Sequence, residues 1–217
     1  MELKTLIEHT VKSVYYSNIE KSNIDPNILN IDGMSSKKIR HLINNLCSLS
    51  DASYFEVGSW KGSTLCSAIS NNNLSKVTSC ENFSEFTDDG HKKINLTIKD
   101  QLLNNIQNFK GSNNVEIIEE DFFSKQWGSD KKYNIYLYDG AHSIQTQYFQ
   151  IKIAKQFLDK YSIMLVDDWS CEISKPKQAT FKALNDFGMH VHLYIDLPIG
   201  HEDEYWCGQG LFVLENL

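Results

Sequence analysis

Short β-rich runs alternate with helical stretches along this chain, and nearly every run closes on a carboxylate. Tyr54-Phe55-Glu56-Val57 reads as a strand ended by Gly58, and Lys76 to Cys80 as a second, followed by Glu81-Asn82. Val115 to Ile118 makes a third, with Asp121 just after it. Tyr133 to Tyr138 and Ser162 to Val166 follow, ended by Asp139-Gly140 and by Asp167-Asp168. Between them the periodicity predicts helices over 62–70, 91–109 (stopped by Gly111) and about 143–160, and Pro176 opens another that Gly188 closes. Residues 1–22 and 35–48 also read as helices, the second with Ile39, Leu42, Ile43 and Leu46 on one face and Ser35 or Ser36 as its cap. His190 to Ile195 and Leu211 to Leu214 close the chain as strands with no helix between them. Such alternation implies an α/β fold, a doubly wound and mostly parallel sheet with an antiparallel end. Residues 1–50 are expected to form a helical cap on a single domain spanning 51–217.

Composition narrows the function classes. The 217 residues carry 21 basic and 28 acidic side chains, a formal net charge of -7. That length suffices for a core without disulfides or a structural metal. The acidic balance argues against a nucleic-acid or anionic-membrane binder and leaves a small molecule as the expected partner. No apolar run approaches the roughly 20 residues of a bilayer span, and the first ten residues lack the features of a secretory signal. Cys47, Cys66, Cys80, Cys171 and Cys207 are odd in number and lack a CxxC pair, so they read as reduced thiols of a cytoplasmic protein. The N-terminal helices could mediate a homodimer.

Ligands of an open α/β sheet bind outside the carboxyl ends of its strands, near the switch in strand order. Five successive strand ends bearing acids therefore point to a site. After the first strand, Gly58-Ser59-Trp60-Lys61-Gly62 lets the backbone turn sharply, but it is neither GxGxxG nor GxxxxGK[ST], since Lys61 precedes Gly62. Glu81, about twenty residues on, stands where an acid commonly receives the ribose hydroxyls of an adenine nucleoside. The plainer reading is a turn with helix-start glycines and a surface glutamate. Asp88-Asp89-Gly90 reads as a turn before a helix, Trp60 and Trp169 either flank the site or pack beside it, and 201–206 reads as a solvated loop.

Glu56-x-Gly58-x-x-x-Gly62, Glu81, Asp121 and Tyr138-Asp139-Gly140 together resemble class I S-adenosylmethionine-dependent methyltransferases, over about residues 33 to 217. Asp139-Gly140-Ala141-His142 and Leu165-Val166-Asp167-Asp168-Trp169 are similar, within that group, to metal-dependent O-methyltransferases of macrolide sugars and more distantly to catechol O-methyltransferases. The resemblance implies a seven-stranded sheet with one antiparallel strand and a methyl donor over the first loop. It implies donor contacts from Glu56, Gly58, Ser59, Trp60, Gly62 and Ser63, with Glu81 and Asn82 at the ribose, Asp121 and Phe122 near the adenine, and Asp139 beside them. It implies Mg²⁺ on Asp139, Asp167 and Asp168, catalysis by Asp139 and His142, and a sugar-like acceptor. The loop departs from the commoner three-glycine pattern, with Trp60 and Lys61 where another glycine often stands.

Elementary chemistry reaches part of this independently. Aspartates converging at adjacent strand ends repel one another unless a cation compensates, and oxygen-only donors favour a hard ion such as Mg²⁺, Mn²⁺ or Ca²⁺. A hydroxyl bound to such an ion loses its proton more easily, and His142 could accept it. The bland alternative makes the acids capping or turn residues and His142 a surface side chain. Two further function classes stay open: a nicotinamide-dependent oxidoreductase on a similar sheet, and a cofactor-binding module without catalysis.

Overall fold

The computed structural model describes residues 2–86, 92–170, 172 and 175–217; Cys171 and the Asp88-Asp89-Gly90 turn lie outside them. Helices α1 (Leu3–Asn18) and α2 (Lys37–Leu46) flank a short 3₁₀ helix at Pro26–Asn30. There follow β1 (Ser53–Val57), α3 (Ser63–Ile69), β2 (Lys76–Cys80), β3 (Ser84–Phe86), β4 (Lys92–Ile94) and α4 (Leu96–Phe109). The rest comprises β5 (Val115–Ile118), β6 (Tyr133–Tyr138), α5 (Ile144–Ala154), β7 (Leu158–Val166), α6 (Pro176–Asp186), β8 (Met189–Leu197) and β9 (Gln209–Asn216).

Seven strands form one sheet in the order β5-β2-β1-β6-β7-β9-β8. The neighbours from β5 to β7 run parallel, while β9 is antiparallel to both β7 and β8. Helices cover both faces, so the central strands are buried on both sides: every residue of β1 and β6 is buried. On one face Leu42, Ile43 and Leu46 of α2 and Leu6 of α1 join the core under Tyr54, Ile135 and Leu165. The other face packs Phe55, Phe122, Tyr136, Phe157 and Trp169. No described helix is long and apolar enough to cross a membrane.

Two local departures from the sequence reading have physical causes. The helix expected over 91–109 starts only at Leu96, because residues 92–94 pair with 84–86 as a hairpin. Asn95 then ends the strand and begins the helix: its backbone N–H donates to Phe83 and its side chain accepts from Thr97. Likewise α5 stops at Ala154, and β7 starts at Leu158 rather than Ser162, because Leu158 already pairs with Tyr133 across a register shift. At the start of α2 the cap is Ser36, which accepts from the Ile39 amide. Ser35 turns away to Ser63 and Arg40.

Candidate active site

Strand order reverses between β1 and β6, so the crevice outside their carboxyl ends is the expected ligand position. Backbone hydrogen bonds run one residue past the strands and line up the rim. Gly58 N–H donates to the Cys80 carbonyl, Asp139 N–H to Val57, Asp167 N–H to Tyr138 and Glu81 N–H to Ile118, each at 3.0 Å. Acids remote in sequence thus stand side by side because their strands are in register.

The glycine turn is held tightly. Gly58 has φ +86°, and a Cβ there would lie 1.9 Å from the Asp139 carbonyl oxygen. Only glycine lets β1 leave the sheet this close to β6. Gly62, φ +90°, opens α3 against Leu102. Beneath the turn Glu56 is fully buried, accepting hydrogen bonds from Tyr54 Oη at 2.5 Å and Thr64 Oγ1 at 2.7 Å. Burial pushes its pKa up to about 7 despite those donors. Glu81 closes the turn from the β2 side, its two oxygens accepting the amides of Trp60 (2.9 Å) and Phe83 (2.7 Å). Each oxygen retains capacity to accept a further hydrogen bond.

The other positions expected to meet a donor divide in two. Asn82 caps its own turn by accepting from Ser84, and exposed Asp121 accepts from the Phe123 and Ser124 amides through Oδ1. Trp60 is half-buried, with Lys61 Nζ 4.1 Å from the centre of its ring. Ser59, Ser63 and Phe122 are buried: Ser59 bonds to Ser79, Ser63 to Ser35, and the Phe122 ring enters the aromatic core beside Phe55 and Trp127. Trp169 is also core, fully buried against Phe212, with its Nε1–H donating to Tyr194.

Asp139, Asp167, Asp168 and His142 come together at the ends of β6 and β7. Asp139 and Asp167 share a hydrogen bond. Burial and the facing Asp167 carboxylate push Asp139 well above the usual carboxylate range. Burial raises Asp167 too, opposed by the hydrogen bond from Asp139. His142 stands between the outer two acids, its Nε2 3.8 Å from Asp139 Oδ1 and its Nδ1 3.6 Å from Asp168 Oδ2. That Nδ1 is buried and makes no hydrogen bond. Asp168 adopts φ +52° at the sharp turn after β7. The donor set is all hard oxygen, and facing carboxyl groups are what a dication would relieve. Among the described residues, however, no three such ligands are already gathered closely enough to enclose one ion.

Three features of the surround are not apparent from residue type alone. Buried Arg40 donates to the carbonyls of Ile28, Ile31 and Ser35, anchoring the segment that reaches Ser63 at the start of α3. Tyr205 Oη bonds to Ser17 and Asn18, and Ser36 Oγ donates to the Glu204 carbonyl, tying the 198–208 loop to the N-terminal helices. Gln209, the first residue of β9, donates from Nε2 to Asp167 Oδ1. A glycine on either side of it was the available sequence signal.

A seven-stranded sheet with one reversed strand, opened at its switch point by a glycine turn and an acid on the next strand, defines a class I methyltransferase fold. A methyltransferase-domain family matches residues 55–169, more than half of the chain, and the chain belongs to that family. No curated protein matches it significantly. Solved structures share the fold at low identity. TrmN from Thermus thermophilus is 10% identical with a TM-score of 0.60, covering 88% of this chain and 52% of its own, so this chain spans about half that protein's length. An O-methyltransferase from Bacillus cereus in complex with SAH is 12% identical (TM-score 0.56, 95% and 90% covered). The ribosomal protein L11 methylase of Lactobacillus delbrueckii subsp. bulgaricus is 11% identical (TM-score 0.54, 84% and 79% covered). Proteins named for such different methyl acceptors share this sheet, so the acceptor must be argued from the site.

Proposed function

We propose that this methyltransferase transfers the methyl group of S-adenosylmethionine to a hydroxyl of a small polar molecule, with a hard divalent cation at Asp139, Asp167 and Asp168. One observation carries the reading: His142 stands between two carboxylates at the rim where the glycine turn opens. The bound groups supply the electrophilic methyl and a charge that stabilises the acceptor's alkoxide. The remaining work belongs to the chain. Glu81 and the Gly58–Gly62 turn position the donor's ribose. Asp139 Oδ1 and Asp168 Oδ2, 3.8 Å and 3.6 Å from its ring nitrogens, flank the His142 imidazole, which accepts the hydroxyl proton. The 198–208 loop, tied to the N-terminal helices, adjoins the acids through the Trp169–Gly208 backbone bond and through Gln209 on Asp167. Five rim acids and a net charge of -7 disfavour a polyanionic acceptor such as RNA.

Ligand-dependent melting tests the donor. S-adenosylhomocysteine should raise the melting temperature and NADH should not, because a ligand that binds only the folded state stabilises it by mass action. A shift with NADH alone would move the chain to the oxidoreductases. For the acceptor, S-adenosylhomocysteine release is followed across a panel of sugars, phenols and peptides. Full turnover in excess chelator removes the cation from the mechanism.

A further inference from the structure

Gly208-Gln209-Gly210 leads into strand β9, whose first residue is Gln209, and lies against the turn that follows β7. Both glycines are required by contact. A Cβ on Gly208 (φ +84°) would lie 2.8 Å from Ser170 Oγ and 3.1 Å from the Leu197 carbonyl. One on Gly210 would enter the Trp169 indole at 2.5 Å. The pairing is fixed by backbone bonds, Trp169 N–H to the Gly208 carbonyl at 3.1 Å and Ser170 N–H to the Cys207 carbonyl at 3.0 Å. In antiparallel register Val166 faces Gly210, so Gln209 falls opposite Asp167. Its side chain is 2% exposed and bonds through Nε2 to Asp167 Oδ1. Its other polar atom, Oε1, is buried without a partner.

A buried amide with one unused oxygen is costly, on the order of 1–3 kcal/mol. A leucine or methionine at this position would avoid that cost. The side chain is instead turned onto a carboxylate of the acid group. We infer that Gln209 is the positioning residue for Asp167. Its amide N–H engages Oδ1 and so presents the other oxygen toward Asp139, where the two acids can share a cation. Its own Oε1 stays beside them as a buried acceptor without a partner. The inference rests on the cation reading above but concerns a residue outside the acids themselves. Outer partners of this kind fix ligand orientation, and removing one typically lowers metal affinity about 10–100-fold.

The test measures Mn²⁺ and S-adenosylhomocysteine affinity separately, by paramagnetic titration and calorimetry, in the whole chain. Gln209→Met keeps the volume and deletes the donor. It should weaken Mn²⁺ about 10–100-fold and leave S-adenosylhomocysteine affinity within about twofold, a split that general damage to the fold would not produce. Gln209→Asn withdraws the amide by one carbon. It should also weaken Mn²⁺, and it decides the matter if the methionine variant loses S-adenosylhomocysteine binding altogether. Wild-type Mn²⁺ affinity in the variant that retains S-adenosylhomocysteine binding overturns the inference while leaving the cation reading intact. A wild-type chain that takes up no Mn²⁺ overturns both.

Discussion

Glu56 offers the sharpest quantitative prediction, because its carboxyl has no access to solvent and no cationic partner among its hydrogen bonds. Its pKa rises from an ordinary 4.5 to about 7, with burial the largest cause. A carboxyl raised in the folded state binds more protons there than in the unfolded chain between those two values. Stability is then fully present below pH 4.5 and is lost as pH rises toward 7. Each pH unit across that window is worth about 1.4 kcal/mol, so the penalty grows by about 2–3 kcal/mol between pH 5 and pH 8. Other groups titrate too, and the comparison must isolate this one. Glu56→Gln removes the ionisation while keeping an acceptor for the Tyr54 or Thr64 hydroxyl. Whatever fixed cost that exchange carries is the same at both pH values and cancels in the difference. Urea unfolding of both proteins, without ligand, at pH 5 and pH 8 should therefore show the variant gaining about 2–3 kcal/mol on wild type as pH rises. With a slope of about 2 kcal/mol per molar urea, that is roughly a 1 M relative shift in midpoint. Parallel pH dependences in the two proteins would show that Glu56 is not held protonated, and the account of the turn's foundation would be wrong.

Other expectations follow from the same geometry. Gly58→Ala must place a Cβ against the Asp139 carbonyl in a left-handed backbone; it should cost more than about 3 kcal/mol in chemical unfolding, and a loss under 0.5 kcal/mol would contradict the close approach. Glu81→Gln keeps one acceptor but loses the charge-assisted bonds to the Trp60 and Phe83 amides, so calorimetry should show S-adenosylhomocysteine affinity falling roughly tenfold. Asp168→Asn should lower methyl transfer at least about 100-fold while leaving S-adenosylhomocysteine binding near wild type; equal losses in both would place Asp168 in the donor site.

How much of this was legible in the sequence follows from burial. Strands β2, β5 and β6 match their expected limits because each is a short run carrying β-branched or aromatic residues and followed directly by an acid, Glu81, Glu119 or Asp139. Because parallel strands share a direction, a carboxylate after each one had to land on a common edge, and Asp139, Asp167 and Asp168 do. Periodicity could not reveal features settled by tertiary contact. The shortening of α4 depends on an Asn95-to-Phe83 backbone bond, and the lengthening of β7 on pairing with Tyr133. Composition likewise does not say which way a side chain turns. Glu56, Ser59, Ser63 and Phe122 sit where donor contacts were expected, yet all four are at most 6% exposed. They build the floor of the crevice.

That floor links the two halves of the site. The Gly58 α-carbon rests against the Asp139 carbonyl, and Asp139 N–H donates back to Val57. The turn expected to carry the methyl donor and the residue expected to deal with the acceptor are thus in direct backbone contact across β1 and β6. A displacement of one by a few tenths of an ångström must be taken up by the other, since strands buried on both faces have no free volume to absorb it. In-line transfer demands that the donor methyl and the attacking oxygen be held within about 3–3.5 Å. A glycine that admits no Cβ is a simple way to fix that spacing, by making donor and acceptor supports parts of one rigid edge.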